Sequence, residues 1–94
     1  MQKYELTTLV KTSENDNEAL QAMHKIYKLI EDCKGEVIIN KYDGRKKLSY
    51  PIKDEEEAYF IFFILLISAE KMNELVEKLY DEDYILRFLI VKAQ

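Results

Sequence analysis

Residues 58–67 read AYFIFFILLI, and this run constrains the fold more than any other part of the chain. A membrane-spanning helix needs about 20 apolar residues, so the run is too short to cross as a helix, and it is rich in Phe and Ile, which favour extended backbone. At a strand's period of two, Ile61, Phe63, Leu65 and Ile67 share one face, and Phe60, Phe62, Ile64 and Leu66 share the other. Both faces are wholly apolar. Whichever one the chain does not cover is expected to be a contact surface, because monomers rarely leave so large a patch in water.

The rest of the chain supplies partners for such a strand. KYELTTLV at 3–10 alternates, with Tyr4, Leu6 and Val10 on one parity, and reads as a first strand. Asn15 and Glu18 have capping-box spacing, and apolar residues then recur from Ala19 to Cys33 at a period of 3.6. This predicts a helix over about 16–33, ended by Gly35 as a left-handed C-cap. Residues 36–42 and 46–52 read as strands joined by a turn at Asp43-Gly44, and Pro51 marks the second as an edge strand. The acids at 54–57 read as a solvated loop. Ser68 can cap a second helix that buries Met72, Leu75, Val76 and Leu79, and residues 85–92 form a last strand.

The order is therefore βαβ followed by βαβ. Two right-handed units of this kind interleave into a ferredoxin-like α+β two-layer sandwich: a four-stranded antiparallel sheet, order 4-1-3-2, with both helices on one face. Ninety-four residues allow a single domain, 1–94, and no second core. Leu9, Leu89 and Val91 are expected beside Phe60, Phe62, Ile64 and Leu66 on the open side, whose centre reads as uncharged. Self-association of the free protein is the expected consequence.

Charge is distributed unevenly. The chain carries 14 Lys and Arg against 18 Asp and Glu, a net −4, which speaks against indiscriminate polyanion binding. Yet residues 41–53 hold five bases and one acid, followed by four consecutive acids at 54–57. Catalytic chemistry finds no residues to work with. His24 is the only histidine, and Cys33, the only cysteine, lies on the apolar stripe of the first helix as a small buried hydrophobe. Gly35 and Gly44 are too isolated for a phosphate loop, and the acidic block lacks calcium-loop spacing. No enzyme, cofactor or metal site is expected. The N-terminal segment has no apolar signal core, and one cysteine fits a reducing compartment, so a cytoplasmic location is expected.

Three segments together resemble a known family: Met1-Gln2-Lys3-Tyr4-Glu5, the stretch Asp43-Gly44-Arg45-Lys46-Lys47-Leu48-Ser49-Tyr50-Pro51-Ile52-Lys53, and Ile85-Leu86-Arg87-Phe88-Leu89-Ile90-Val91-Lys92. In this order they are similar to the bacterial small-subunit ribosomal protein six family, with Ser49 in place of the usual Ala. The resemblance implies the ferredoxin-like fold again. It also implies binding to the central domain of small-subunit ribosomal RNA, as a heterodimer with small-subunit ribosomal protein eighteen. On this basis Lys3, Arg45, Lys46, Lys47, Arg87 and Lys92 match basic positions that would contact phosphate, which positions a protein without reading sequence. Leu48, Tyr50, Pro51 and Ile52 match the segment the family turns toward its protein partner. No membrane and no DNA enter this reading. The competing reading is a non-ribosomal ferredoxin-like oligomer that binds a small molecule or a protein partner through its apolar sheet face. It requires a convergent set of polar ligands for the small molecule, and the sequence shows none.

Overall fold

The computed structural model describes residues 1–93. In chain order it holds β1 (Gln2–Lys11), α1 (Asn17–Asp32), β2 (Glu36–Ile52), β3 (Glu55–Ile67), α2 (Ala69–Tyr80) and β4 (Ile85–Lys92). The strands form one sheet in the order β2-β3-β1-β4, every neighbouring pair antiparallel. This is the expected 4-1-3-2 order, with β1 and β3 central.

Amphipathic periodicity decides which side the helices cover. Ala19, Ala22, Ile26 and Ile30 of α1 and Met72, Leu75 and Leu79 of α2 pack in one cluster against Leu6, Val10, Ile61, Phe63, Leu65 and Ile67. The last four are all fully buried. At ~1.5–3 kcal/mol each, their transfer from water contributes on the order of 6–12 kcal/mol, an upper figure because unfolded chains already bury some surface. Among the described residues Thr8 is the one buried polar residue in this layer, and its Oγ1 donates to the Ile61 carbonyl at 3.0 Å. Cys33 lies in the same cluster, where burial pushes its thiol pKa up and keeps it unreactive.

Four local expectations need correction. The capping box does not form: α1 begins at Asn17, and the Asn15 Oδ1 instead accepts from the Asn17 N–H at 3.0 Å. The left-handed residue after α1 is Lys34 (φ 62), not Gly35. The Lys34 and Gly35 N–H groups bond the Glu31 and Ile30 carbonyls at 2.9 Å each, a Schellman arrangement. Glycine is required at 35 for space, since a Cβ there would lie 2.8 Å from Ile30 Cγ2. Asp43-Gly44 is not a turn; β2 runs through it, and Gly44 (φ 98) sits at a register shift that bends the strand. The reversal falls ten residues later, at Lys53 and Asp54, both left-handed (φ 50 and 67) as a tight two-residue hairpin demands. Finally, the acidic block is no loop. Only Asp54 lies in the turn, and residues 55–57 open β3.

Candidate nucleic-acid interface

The long β2–β3 hairpin, once its turn moves to residues 53–54, carries the basic segment along an edge strand instead of in a loop. Its tip folds back over the open side of the sheet. Ile52, Ala58 and Leu86 are buried there in a second, smaller cluster, joined by Leu9, Leu48 and Phe60. Of the expected open-face residues, Leu9 and Phe60 thus pack against a cluster that the chain builds for itself, and both stay half-buried. Phe62, Ile64 and Leu66 stay half-buried beyond that cover, with Leu89 and Val91 of β4 exposed beside them.

The six basic positions do not converge on one spot. Strand register puts Lys3 (opposite Leu66), Lys46 (opposite Ala58) and Arg87 (opposite Leu9) on the open side. The Lys46 Nζ sits 5.1 Å from the centre of the Phe60 ring, a cation–π contact. Lys47 pairs across the hairpin with Glu57, and Lys92 lies opposite Tyr4 at the far end of the outer strand β4. Lys47 and Arg87 border a cleft of about 230 Å³ whose walls include Leu9, Leu48, Tyr50 and Phe60.

Arg45 is differently placed. It stands opposite Tyr59, on the helix side, and is consumed by its neighbours. Its Nη2 bonds Asp16 Oδ1 at 2.6 Å and donates to the Ser13 carbonyl, its Nη1 bonds Glu57 Oε2 at 3.0 Å, and its guanidinium lies 5.4 Å from the Tyr59 ring centre. The Tyr59 hydroxyl donates to Asp16 at 2.9 Å and accepts from the Ser13 N–H at 3.1 Å. These charge-assisted bonds hold the Asp16 carboxyl below the usual carboxylate range, the Arg45 bond being the larger cause and the Tyr59 bond the second. Asp16, Glu57 and Asp16's partner Tyr59 therefore leave Arg45 little freedom to meet a phosphate.

Among the positions that the resemblance assigns to a protein partner, Tyr50 is 62% exposed and Pro51 is exposed, Leu48 is half-buried, and Ile52 is turned inward as a pillar of the tip. The centre of the open face is expected to be uncharged. The register corrects this, because Glu5 lies opposite Ile64 of β3 and opposite Val91 of β4. The residues carry the signal: Leu9 is expected on that side, and Glu5 shares its parity.

The two layers differ in charge. Residues 2–11, 36–67 and 85–92, the sheet with its hairpin turn, carry nine bases and seven acids. Residues 12–35 and 68–84, the helices with their connections, carry five bases and eleven acids. Among the described residues no group of three His, Cys, Asp or Glu could hold a metal, and no helix is long and apolar enough to cross a membrane.

A split βαβ sandwich with a base-rich sheet layer and an acid-rich helix layer has the ferredoxin-like architecture, with its charge divided between the two faces. Comparison with known proteins narrows the class. A family model described as Ribosomal protein S6 matches residues 3–92, and the chain belongs to that family. It is 29% identical over 92 residues to the small ribosomal subunit protein bS6 of Chlamydia muridarum, covering 98% of this chain and 82% of that one. It is likewise 29% identical over 93 residues to the bS6 protein of Desulforudis audaxviator, covering 98% of each. The crystal structure of 30S ribosomal protein S6 from Thermotoga maritima shares the fold, with a TM-score of 0.89 at 19% identity over 98% of this chain and 87% of that chain. The solution structure of the C-terminal domain of the Mycobacterium tuberculosis MgtC protein shares it more loosely, with a TM-score of 0.61 at 10% identity over 99% and 88% of the two chains. Family membership makes this a structural protein of the small ribosomal subunit, not an enzyme, and decides against the non-ribosomal oligomer.

Proposed function

We propose that the chain binds the central domain of small-subunit ribosomal RNA through its sheet layer, paired with small-subunit ribosomal protein eighteen. The observation that carries this reading is the division of charge: nine bases against seven acids in the sheet layer, five against eleven in the helix layer. A polyanion approaching such a molecule is oriented sheet-first. Lys46, Lys47, Arg87 and Lys3 are the phosphate contacts nearest the hairpin and the open side, and Lys92 extends them along β4. Arg45 serves this surface by tethering the hairpin to the start of α1. Tyr50 and Pro51, exposed on the edge strand, are the anchor for the protein partner, with Leu48 as their support. The test is salt dependence. Replacing Lys46 and Lys47 together with Ala removes two phosphate contacts, so the log–log slope of RNA affinity against salt becomes shallower by about 1.4–1.8. An unchanged slope defeats the reading.

A further inference from the structure

Among the described residues β2 has a strand neighbour on one side only, so its outer backbone groups form a free edge. The two ends of this edge differ. From Lys41 to Lys47 it carries four bases and one acid, a pattern that keeps like edges apart. From Glu36 to Asn40 it reads EVIIN, with three β-branched residues and a single charge. Ile38 and Ile39 are 47% and 48% exposed there. On the helix side the same stretch borders a groove of about 340 Å³, walled by Leu20, Met23 and Tyr27 of α1 and by Asn40. Leu20 is itself exposed, so apolar surface continues from the free edge onto the neighbouring helix.

A bulge makes this edge complementary to itself. In a regular strand, residues five apart project from opposite sides. Here Ile38 is inserted between Val37 and Ile39, so Glu36, opposite Leu66, and Lys41, opposite Phe62, both project from the open side. Val37 and Asn40, opposite Leu65 and Phe63, likewise share the helix side. Two copies laid antiparallel about the Ile38–Ile39 bond therefore match side for side. Glu36 meets Lys41 of the second copy, Val37 meets Asn40, and Ile38 meets Ile39, each twice. Among the described residues Glu36 has no ion pair, and Lys41 holds only Asp43, at 3.2 Å. That pair is exposed and of the kind that contributes little, so Lys41 can be handed over. A foreign strand would need its own acid and base at the same spacing; a second copy carries them already. We propose that two copies of this chain join through residues 36–41 of β2 about a two-fold axis, continuing one sheet across both. The two bulges face each other across that axis, so neither shifts the register of the other. Tyr50 and the six basic positions lie outside the paired stretch, and the inference does not depend on the RNA or heterodimer readings.

Sedimentation velocity on the full chain, from micromolar to millimolar concentration, should show a dimer growing at the expense of monomer. Glu36→Lys and Lys41→Glu each set like charges against each other at two places. Each is expected to weaken dimerisation roughly 10-fold or more, with the melting temperature of the monomer unchanged. An equimolar mixture of the two variants restores both opposite-charge pairs, so it should dimerise within about threefold of the unaltered protein. An unaltered protein that stays monomeric throughout overturns the proposal. A dimer indifferent to both variants lies on another face, and a mixture no tighter than either variant alone breaks the register; both results also overturn it. A monomer whose affinity for ribosomal protein eighteen or for RNA falls with Lys41→Glu assigns this edge to that ligand instead, with the same consequence.

Discussion

The two faces of β3 are equally apolar and meet different cover. Ile61, Phe63, Leu65 and Ile67 are sealed by two helices and fully buried. On the other side, only Phe60 joins a cluster that the chain builds for itself, from the hairpin tip and Leu86. Phe62, Ile64 and Leu66 remain half-buried, and a carboxylate sits among them. Hydrophobicity therefore does not distinguish a core face from a contact face. What distinguishes them is whether the neighbouring strands place a charge there, and which segments can reach across.

The comparison is broken most directly at two adjacent residues. Phe63→Lys should unfold the domain, because it buries an ammonium with no partner, a cost of several kcal/mol. Phe62→Lys should leave it folded, within about 1 kcal/mol, since its head group can reach water. Thermal melts on both variants decide this, and reversed outcomes would place the register wrong by one residue.

A smaller effect separates the two residues that close the hairpin tip. Ile52→Ala should cost about 2 kcal/mol by denaturant titration, because it hollows the cluster with Ala58 and Leu86. Tyr50→Ala, two residues away and 62% exposed, should stay within ~0.5 kcal/mol while lowering affinity for the protein partner. If Tyr50→Ala instead destabilises the fold as much as Ile52→Ala, the tip is packed on both sides and offers no anchor.

Neighbouring bases divide in the same way. Lys46→Ala should weaken RNA binding and make the salt slope shallower by about 0.9, the loss of one phosphate contact. Arg45→Ala should weaken binding with the slope unchanged, since that side chain is committed to Asp16, Glu57 and the Ser13 carbonyl. A slope change with Arg45→Ala equal to that of Lys46→Ala would show that Arg45 leaves its network to meet the RNA.

The smallest expected effect is acidic. The Asp16 pKa is lowered in the folded chain from an ordinary value near 3.8, chiefly by its bond from Arg45. Such a group favours the folded state above the ordinary value, and that contribution disappears as pH falls through the lowered one. Asp16→Asn should therefore be less stable than the unaltered protein at neutral pH and converge with it in strong acid. Parallel stability curves from pH 7 to pH 2 would show that the network contributes nothing through this carboxylate.

Much of the molecule was legible in the residues because it follows from periodicity. The 3.6-residue spacing of Ala19, Ile26 and Ile30 and the two-residue spacing of Ile61, Phe63 and Leu65 fix which side of each element is apolar. Handed βαβ connections then allow few sheet orders. The strand order and the helix side are consequences of these patterns. The basic segment was legible as a composition, but its division between two sides of the sheet was not. That division depends on where the hairpin turns. Asp43-Gly44 is the stronger local turn signal, yet the chain reverses at Lys53-Asp54. Pairing of Lys46 and Lys47 with Ala58 and Glu57, and burial of Ile52, outweigh the local preference.

The sequence by itself determined the elements, their buried faces and the ferredoxin-like order, because each follows from local spacing. Tertiary structure alone decided that Arg45 bonds Asp16 and Glu57, that the tip packs against Phe60, and that Glu5 lies opposite Ile64 and Val91. Arg45 and Asp16 are 29 residues apart and Tyr59 and Asp16 are 43 apart. Bonds between such distant groups form only after the sheet has brought them together, so no local pattern announces them.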